Sequence, residues 1–507
     1  MLLLQRNKNN LQSKQLFWHM LSGAVASLSL PPLFLIPAIF AVSLPLLGYL
    51  KAQSRREGAL ILAAAGLGWF LASTYWVSNS LIVDESPYWF LMPIMALALA
   101  FTLAGFWAIA GFFSFSMGIN PLARLLWLLV FFSLSEWARG FVASGFPWNL
   151  TGSLFAVYPA SLQAAGFIGV YGLCVVAVTF AAVPAFWVIG YRRCAVIAVL
   201  LPIMMTVFGA LRLAGAPALE TLSDGVPIVR LVQPAIPQVE KWDSTKRQTH
   251  LDQLVDLSRI GEPHAKLVIW PETAFAGLAG RNAELLDRTV REATIKESAL
   301  ITGIPRFGTD RTLLNSAIMF NHDGETKGIY DKRHLVPFGE YIPFRKWLPF
   351  IDPIVGSVDF SAGQNNALML VEGIGTMQLL ICYEVIFSGK VLMSDKRPDL
   401  MVNITNDAWF GVSAGPWQHL VQAQMRAVEE GVPLFRVANT GITAGFDSYG
   451  RVLGLIPLGK SGVLDLSVPE TVSPPPFARF GNFGFFCLLI LMVVGAAWVD
   501  LTYSMRQ

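Results

Sequence analysis

MQLLICYE, residues 377–384, decides how the C-terminal half of this chain is read. A run of five mainly apolar residues, too short for a helix of its own, stops abruptly at a thiol, a phenol and a carboxyl. Strands of an α/β sheet present chemistry at their ends in this way. The pattern recurs at 266–272, where KLVIW runs into Pro271 and Glu272, and further Val- and Ile-rich runs lie at 226–232, 299–304, 316–320, 400–404 and 434–437. Between the first two strands Leu251, Leu254, Leu257 and Ile260 recur at helical spacing, as do Leu285, Leu286, Val290 and Ala293 later. Strands alternating with amphipathic helices predict an α/β domain over 220–475.

Outward from this domain the composition changes. Of the 507 residues 54% are apolar and only 14% charged, well to the hydrophobic side of a soluble protein. The excess is concentrated between Phe17 and Phe208, whereas Asp243 to Arg333 is rich in charge. Eight stretches are long and apolar enough for a membrane span: 16–30, 33–50, 58–79, 88–115, 122–139, 162–190, 194–212 and 481–501. The first two form a tight hairpin broken at Pro31 and Pro32. The expected organisation is a polytopic helical membrane domain over 1–215 with seven spans, an external domain over 220–475, and a last span with its tail over 480–507. Ser473 to Pro476 is the expected linker.

Basic residues set the expected orientation. With the N-terminus inside, Arg6, Lys8, Lys14, Lys51, Arg55, Arg56, Arg124, Arg192, Arg193 and Arg506 all lie inside, and only Arg139, Arg212 and Arg479 lie outside. The loop holding Asp84 and Glu85 has no Lys or Arg, as an outer loop should. Seven spans before residue 213 then place the α/β domain outside. No A-x-A cleavage site follows the first span, so it is expected to stay as an anchor. A net charge of +3 from 37 basic and 34 acidic side chains leaves no basic stripe, so nucleic acid is not an expected partner.

Cys174 and Cys487 fall in spans and Cys194 at a helix start, which leaves Cys382 as the external domain's only cysteine. It is either buried filler or a thiol kept for chemistry. A thiol nucleophile needs a base and a donor for the oxyanion. Glu272 and Lys332, the latter in GIYDKRHLVPFGEY (328–341), are of the right types, although each alone could be a surface charge. His19, His250, His264, His322, His334 and His419 are scattered without zinc-site spacing, so no metal is expected. Glu136 and Arg139, three residues apart near a helix end, are expected to pair.

WPET (270–273), YDKRHLVPFGEY (330–341), CYE (382–384) and NITNDAWFG (403–411), in that order, resemble the carbon-nitrogen hydrolase (nitrilase) superfamily. With the spans and with EWARGFVASGFPWNLTG (136–152), nearly the whole chain is similar to the apolipoprotein N-acyltransferase family of bacterial inner membranes. The resemblance implies a four-layer α-β-β-α sandwich, with Glu272 as general base, Lys332 as oxyanion-stabilising cation and Cys382 as nucleophile. It makes Glu340 and Glu384 supporting carboxylates and places Trp242 and Tyr383 around the site. Asn406, Trp409 and Phe410 would line the pocket, although Asn406 could instead serve a turn beside Asp407. Glu340 could orient Lys332 or be an exposed acid in a Pro-Phe-Gly turn.

The implied reaction has two halves and uses no cofactor. Cys382 takes an acyl chain from a glycerophospholipid, by the resemblance the sn-1 chain of phosphatidylethanolamine. The α-amine of an S-diacylglyceryl-cysteine apolipoprotein then takes it from the thioester. The catalytic domain would face the periplasm, in a monomer. The stretch 341–364, with Phe344, Trp347, Phe350 and Ile351, is apolar for an external loop and reads as a lid dipping toward lipid. Two other classes stay open: a membrane-tethered amidase, which the same residues would serve but which needs one span, and a transporter with a sensor domain.

Overall fold

The computed structural model describes residues 2–83, 88–223, 225–261, 265–295, 297–347, 353–354, 358–365 and 368–507, with side chains from residue 13 onward. The chain divides into two compact units. One comprises Met1–Ser78, Phe90–Gly215 and Pro476–Gln507, the other Asn79–Trp89 and Ala216–Pro475.

The first unit is helical. Among the described residues five helices are long and apolar enough to cross a membrane: Arg55–Val83, Trp89–Ser114, Pro121–Ala138, Arg192–Ala214 and Phe483–Ser504. The expected spans 33–50 and 162–190 fall on shorter apolar helices, Ile36–Lys51 and Ala165–Ala181, and 16–30 falls largely on Leu2–Ala26. The Pro31-Pro32 bond is cis, and the chain turns there through Phe34 N–H to Leu30 O and Leu35 N–H to Leu28 O. Glu136 and Arg139 pair at 3.1 Å, with both side chains fully buried. Most of their remaining polar atoms are bonded nearby, Arg139 Nε excepted. Trp107 Nε1 and Thr151 N–H donate to Glu136, and Arg139 Nη1 donates to the carbonyls of Phe146 and Trp148. The ion pair thus fastens the Phe146–Trp148 loop to the helix end. A buried charge is tolerated only with this degree of pairing.

The second unit is built on two six-stranded sheets. In the first, β1 (Ile228–Gln233), β2 (Leu267–Ile269) and β3 (Ala299–Phe307) are parallel. β4 (Leu313–Asn321) and β5 (Thr326–Asp331) follow as antiparallel neighbours. The second repeats the plan in reverse order. β6 (Leu368–Val371) lies antiparallel to β7 (Gly375–Ile381), and β7, β8 (Leu400–Thr405) and β9 (Leu434–Ala438) are parallel. β10 (Thr443–Phe446) and β11 (Val452–Ile456) complete it. β12 (Gly462–Ser467) returns to pair antiparallel with β1.

Strand alternation assigns the layers. Val229, Leu231, Leu267, Ile269 and Ile301 face the other sheet and meet Leu379, Ile381, Val402, Ile404, Phe435 and Val437 in one core. Val232, Val268, Trp270, Leu300 and Ile304 face outward onto Leu251, Leu254, Leu286 and Val290 of helices Arg247–Ser258 and Ala283–Ala293. Helix Gly415–Glu430 packs on β9 and β10 of the second sheet. The result is the expected α-β-β-α sandwich. Seven strands coincide with the sequence reading to within a few residues. β5, β6, β10, β11 and β12 do not appear in it, because they are short or have mixed burial, as in β5, whose first two residues are exposed. Helix Gly415–Glu430 was hidden for the opposite reason: Gln418, His419, Gln422, Gln424, Arg426, Glu429 and Glu430 are all buried, so no apolar face stands out.

Candidate active site

Glu272, Lys332 and Cys382 each follow the C-terminal end of a strand: β2, β5 and β7 respectively. The ends of the parallel strands β2 and β7 leave the residues that follow them free of ladder bonds and open to a ligand, whereas β5 is an antiparallel edge strand. Two of the three belong to the first sheet and one to the second.

Lys332 is 1% exposed, and its Nζ lies 2.9 Å from both carboxylate oxygens of Glu340 and 3.6 Å from Glu272 Oε1. Burial alone would lower the lysine, but Glu340 first and then Glu272 outweigh it and hold it raised, so the cation is permanent. Glu340 is itself buried, which removes the exposed-turn reading; Val336 N–H donates to its second oxygen at 2.8 Å. Asn315 Nδ2 bridges the two carboxylates, at 2.8 Å from Glu272 Oε1 and 2.9 Å from Glu340 Oε1. The far oxygen of Glu272 accepts from Asn406 N–H at 2.8 Å. Asn406 also spans Gln238 and Asn439 with its side chain, so it serves the carboxylate rather than a turn.

Cys382 takes φ +50°, a left-handed conformation costly to a side-chain-bearing residue. Its carbonyl is held by His419 Nε2 at 3.2 Å and Asn403 Nδ2 at 3.4 Å. His419 is in turn fixed by Asp407, which pairs with Arg436. Burial would raise the Asp407 carboxyl, but Arg436 and His419 hold it well below the ordinary range. The thiol is pushed up by burial, with the Glu272 carboxylate adding to the effect and Lys332 opposing it. The resting sulfur therefore keeps its proton.

Glu384 ties the two sheets together. One oxygen accepts from Tyr330 OH at 2.7 Å and from Arg333 and His334 N–H; the other accepts Ile381 N–H at 2.7 Å, next to the nucleophile. Burial pushes its carboxyl up against these donors. Tyr383 is buried in edge contact with Phe387. Trp409 and Phe410 are half-buried on the turn after β8, with Phe410 at the edge of His419. Trp242 is half-exposed. Phe344 and Trp347 are largely exposed and stacked on each other, whereas Phe350 and Ile351 lie outside the described residues.

Gln238, Asn315 and Arg436 went unnoticed in the sequence, His419 was weighed only as a metal ligand, and Lys241, whose Nζ donates to the Glu272 carbonyl at 3.1 Å, was not singled out. Asn315 lies one residue ahead of the expected strand 316–320, and a polar residue inside a buried strand was the available signal. His419 and Arg436 sit inside elements buried on all sides. Lys241 was passed over for the aromatic that follows it.

A glutamate, a lysine and a cysteine at strand ends of two packed sheets, with a second buried glutamate on the lysine, are the arrangement of a carbon-nitrogen hydrolase domain, and residues 228–474 match the carbon-nitrogen hydrolase family. Residues 22–183 match the apolipoprotein N-acyltransferase N-terminal domain. Apolipoprotein N-acyltransferase of Rhodopseudomonas palustris is 34% identical over 513 residues, covering 94% of this chain and 93% of that one. The protein of that name from Brucella melitensis is 35% identical over 518 residues, covering 96% of each. A carbon-nitrogen hydrolase from Helicobacter pylori, known by crystal structure, is 15% identical with a TM-score of 0.37, covering 48% of this chain and 89% of that one. The chain belongs to the apolipoprotein N-acyltransferase family.

Proposed function

We propose that the protein transfers an acyl chain from a glycerophospholipid to the N-terminal α-amine of an S-diacylglyceryl-cysteine apolipoprotein, in two half-reactions through a thioester on Cys382. The convergence of Glu272, Lys332 and Glu340 from one sheet on Cys382 from the other carries this reading.

In the first half Glu272 takes the thiol proton, and the sulfur attacks the ester carbonyl, by family likeness that of the sn-1 chain of phosphatidylethanolamine. Lys332 receives the oxyanion with an N–H not used by Glu340. Collapse expels the lysophospholipid oxygen, which leaves with the proton from Glu272. In the second half the α-amine attacks the thioester and Glu272 accepts the amine proton. The carbon-sulfur bond breaks, and the proton returns to the sulfur. Because the thiol is held up, a base is needed at the moment of attack rather than a preformed thiolate.

Both substrates are lipids, which accounts for the apolar helices. Asn406, Trp409 and Phe410 line the acyl pocket. The exposed Phe344–Trp347 pair reaches lipid as part of a lid. On this reading seven spans precede the domain, which lies on the periplasmic face of the inner membrane, and the protein acts as a monomer.

The test is incubation of purified protein with phospholipid and a diacylglyceryl peptide. N-acyl peptide together with lysophospholipid supports the reading. Hydrolysis of an amide without acyl transfer makes the chain a tethered amidase, and neither product removes it from acyl chemistry.

A further inference from the structure

Lys241 ends a short helix, Gln238–Lys241, and is 3% exposed, whereas Trp242 beside it is half-exposed. Its Nζ donates to the main-chain carbonyl of Glu272 at 3.1 Å, its one hydrogen-bond partner among the described residues. The charged and titratable groups that face it are the side chains of Glu272 and Cys382. Gln238, three residues earlier on the same helix, accepts from Asn406, whose N–H holds the Glu272 carboxylate. One helix face therefore backs the candidate base twice, through its carbonyl and through Asn406.

Charge counting gives this lysine a task. Asp407 is paired with Arg436 and Glu384 is met by four hydrogen-bond donors. Glu272 and Glu340, by contrast, bring two negative charges into the buried site against the one positive charge of Lys332, which lies nearer Glu340. One negative charge is left over, and an unbalanced buried charge is expensive. Lys241 balances it. When Cys382 passes its proton to Glu272, the negative charge moves from carboxylate to sulfur and the total is unchanged. Lys241 faces both ends of that transfer.

We propose that Lys241 is a second cation of the site, a positioning residue that fixes Glu272 through its carbonyl and offsets the negative charge as it passes between Glu272 and Cys382. Its ammonium is not permanent. Burial pulls it down to about 8, while Glu272 and Cys382 act to raise it, so the offset weakens in mildly alkaline conditions. This inference rests on the assignment of Glu272 and Cys382 as base and nucleophile.

Alkylation of Cys382 by iodoacetamide, followed by peptide mass from pH 6 to 10 in the full-length protein, tests it without either lipid substrate. In Lys241→Met alkylation should slow below about pH 8, where the wild-type ammonium carries its charge, since a nearby cation favours the thiolate. N-acyl transfer should fall with it. Lys241→Arg, which keeps the charge, should recover part of the wild-type profile. If Lys241→Met does not fold, Lys241→Gln is read in the same way. A wild-type alkylation profile in a folded Met or Gln variant overturns the proposal, whether or not transfer survives. Slowed alkylation in a protein whose wild type makes no N-acyl peptide would uphold Lys241 and sink the proposed function instead.

Discussion

Replacing Glu340 by Gln tests the arrangement around Lys332 most sharply. The substitution keeps the shape of the side chain and one acceptor oxygen but removes the carboxylate that lies 2.9 Å from Nζ with both oxygens. At an effective dielectric of 20 an ion pair about 4 Å apart is worth about 4 kcal/mol, and removing one partner of a buried pair costs about 3–5 kcal/mol. Because Gln retains an acceptor, the lower end is expected: about 3 kcal/mol, or about 6–12 °C in the unfolding midpoint for a domain of this size. The sign with pH follows from the lysine. Its value is raised in the folded protein, so the pair's contribution is fully present below the unfolded value of about 10.4 and is lost only as pH climbs through the folded one. The stability gap between wild type and E340Q should therefore be flat from pH 6 to pH 9. The effect on rate is larger. Lys332 is left with Glu272, now 3.6 Å away, as its remaining carboxylate and closes on it, which ties up the base and withdraws the cation from the oxyanion. Loss of one such contact costs about a hundredfold or more. Formation of N-acyl peptide in reconstituted membranes and thermal unfolding in detergent measure the two effects. Turnover within about threefold of wild type, less than 1 kcal/mol of barrier, would refute the role given to the Lys332–Glu340 pair.

Protein prepared with phospholipid but no acceptor should carry an acyl chain on Cys382, released by neutral hydroxylamine and absent in Cys382→Ala. Intact mass without the adduct, while free fatty acid accumulates, would count against a shielded thioester. Glu384→Gln replaces an acceptor of four hydrogen bonds by a group whose amide must face at least one donor. It should cost about 1–3 kcal/mol in stability and loosen the turn at Cys382, seen as faster hydrogen exchange at Ile381. Arg139→Leu strands a buried Glu136 and should destabilise by about 3–5 kcal/mol, with much of the loss recovered in the double variant Glu136→Gln, Arg139→Leu; equal melting of single variant and wild type would contradict the burial. A reporter fused after Ser223 should behave as periplasmic, and cytoplasmic behaviour would overturn the span count and with it the lipid substrates.

The strand ends were readable because the change from Leu and Ile to Cys, Glu or Pro is abrupt and local, as at Ile381–Cys382 and Trp270–Glu272. What surrounds them was not readable, because its signal lies in burial. Asn315, Asn406 and Gln238 are ordinary amides in the sequence and become the donors and acceptors that fix Glu272 only when residues far apart in the chain meet. Asp407 next to Asn406 suggested turn chemistry, yet its carboxylate is committed to Arg436 and His419. Lys241 lay in a segment already marked for Trp242, and only the structure reveals that the lysine is the buried one of the two. In the membrane unit, hydropathy located the helices but not their number. Ile36–Lys51 and Ala165–Ala181 are shorter than the apolar runs that contain them, since 3-10 turns and a residue with left-handed φ, Gly169, interrupt the helices.

The division of the triad between two sheets has a consequence for the nascent chain. Glu272 and Lys332 emerge during synthesis before Cys382, but the sheet that carries them is finished only when β12, near residue 467, returns to pair with β1. The sulfur sits on the other sheet, across the shared core from the residue proposed as its base. On the proposed chemistry, a chain not yet long enough to pack both sheets would hold its lysine and glutamate apart from the thiol they serve. Acyl transfer would then have to wait until the two sheets have packed on their shared core.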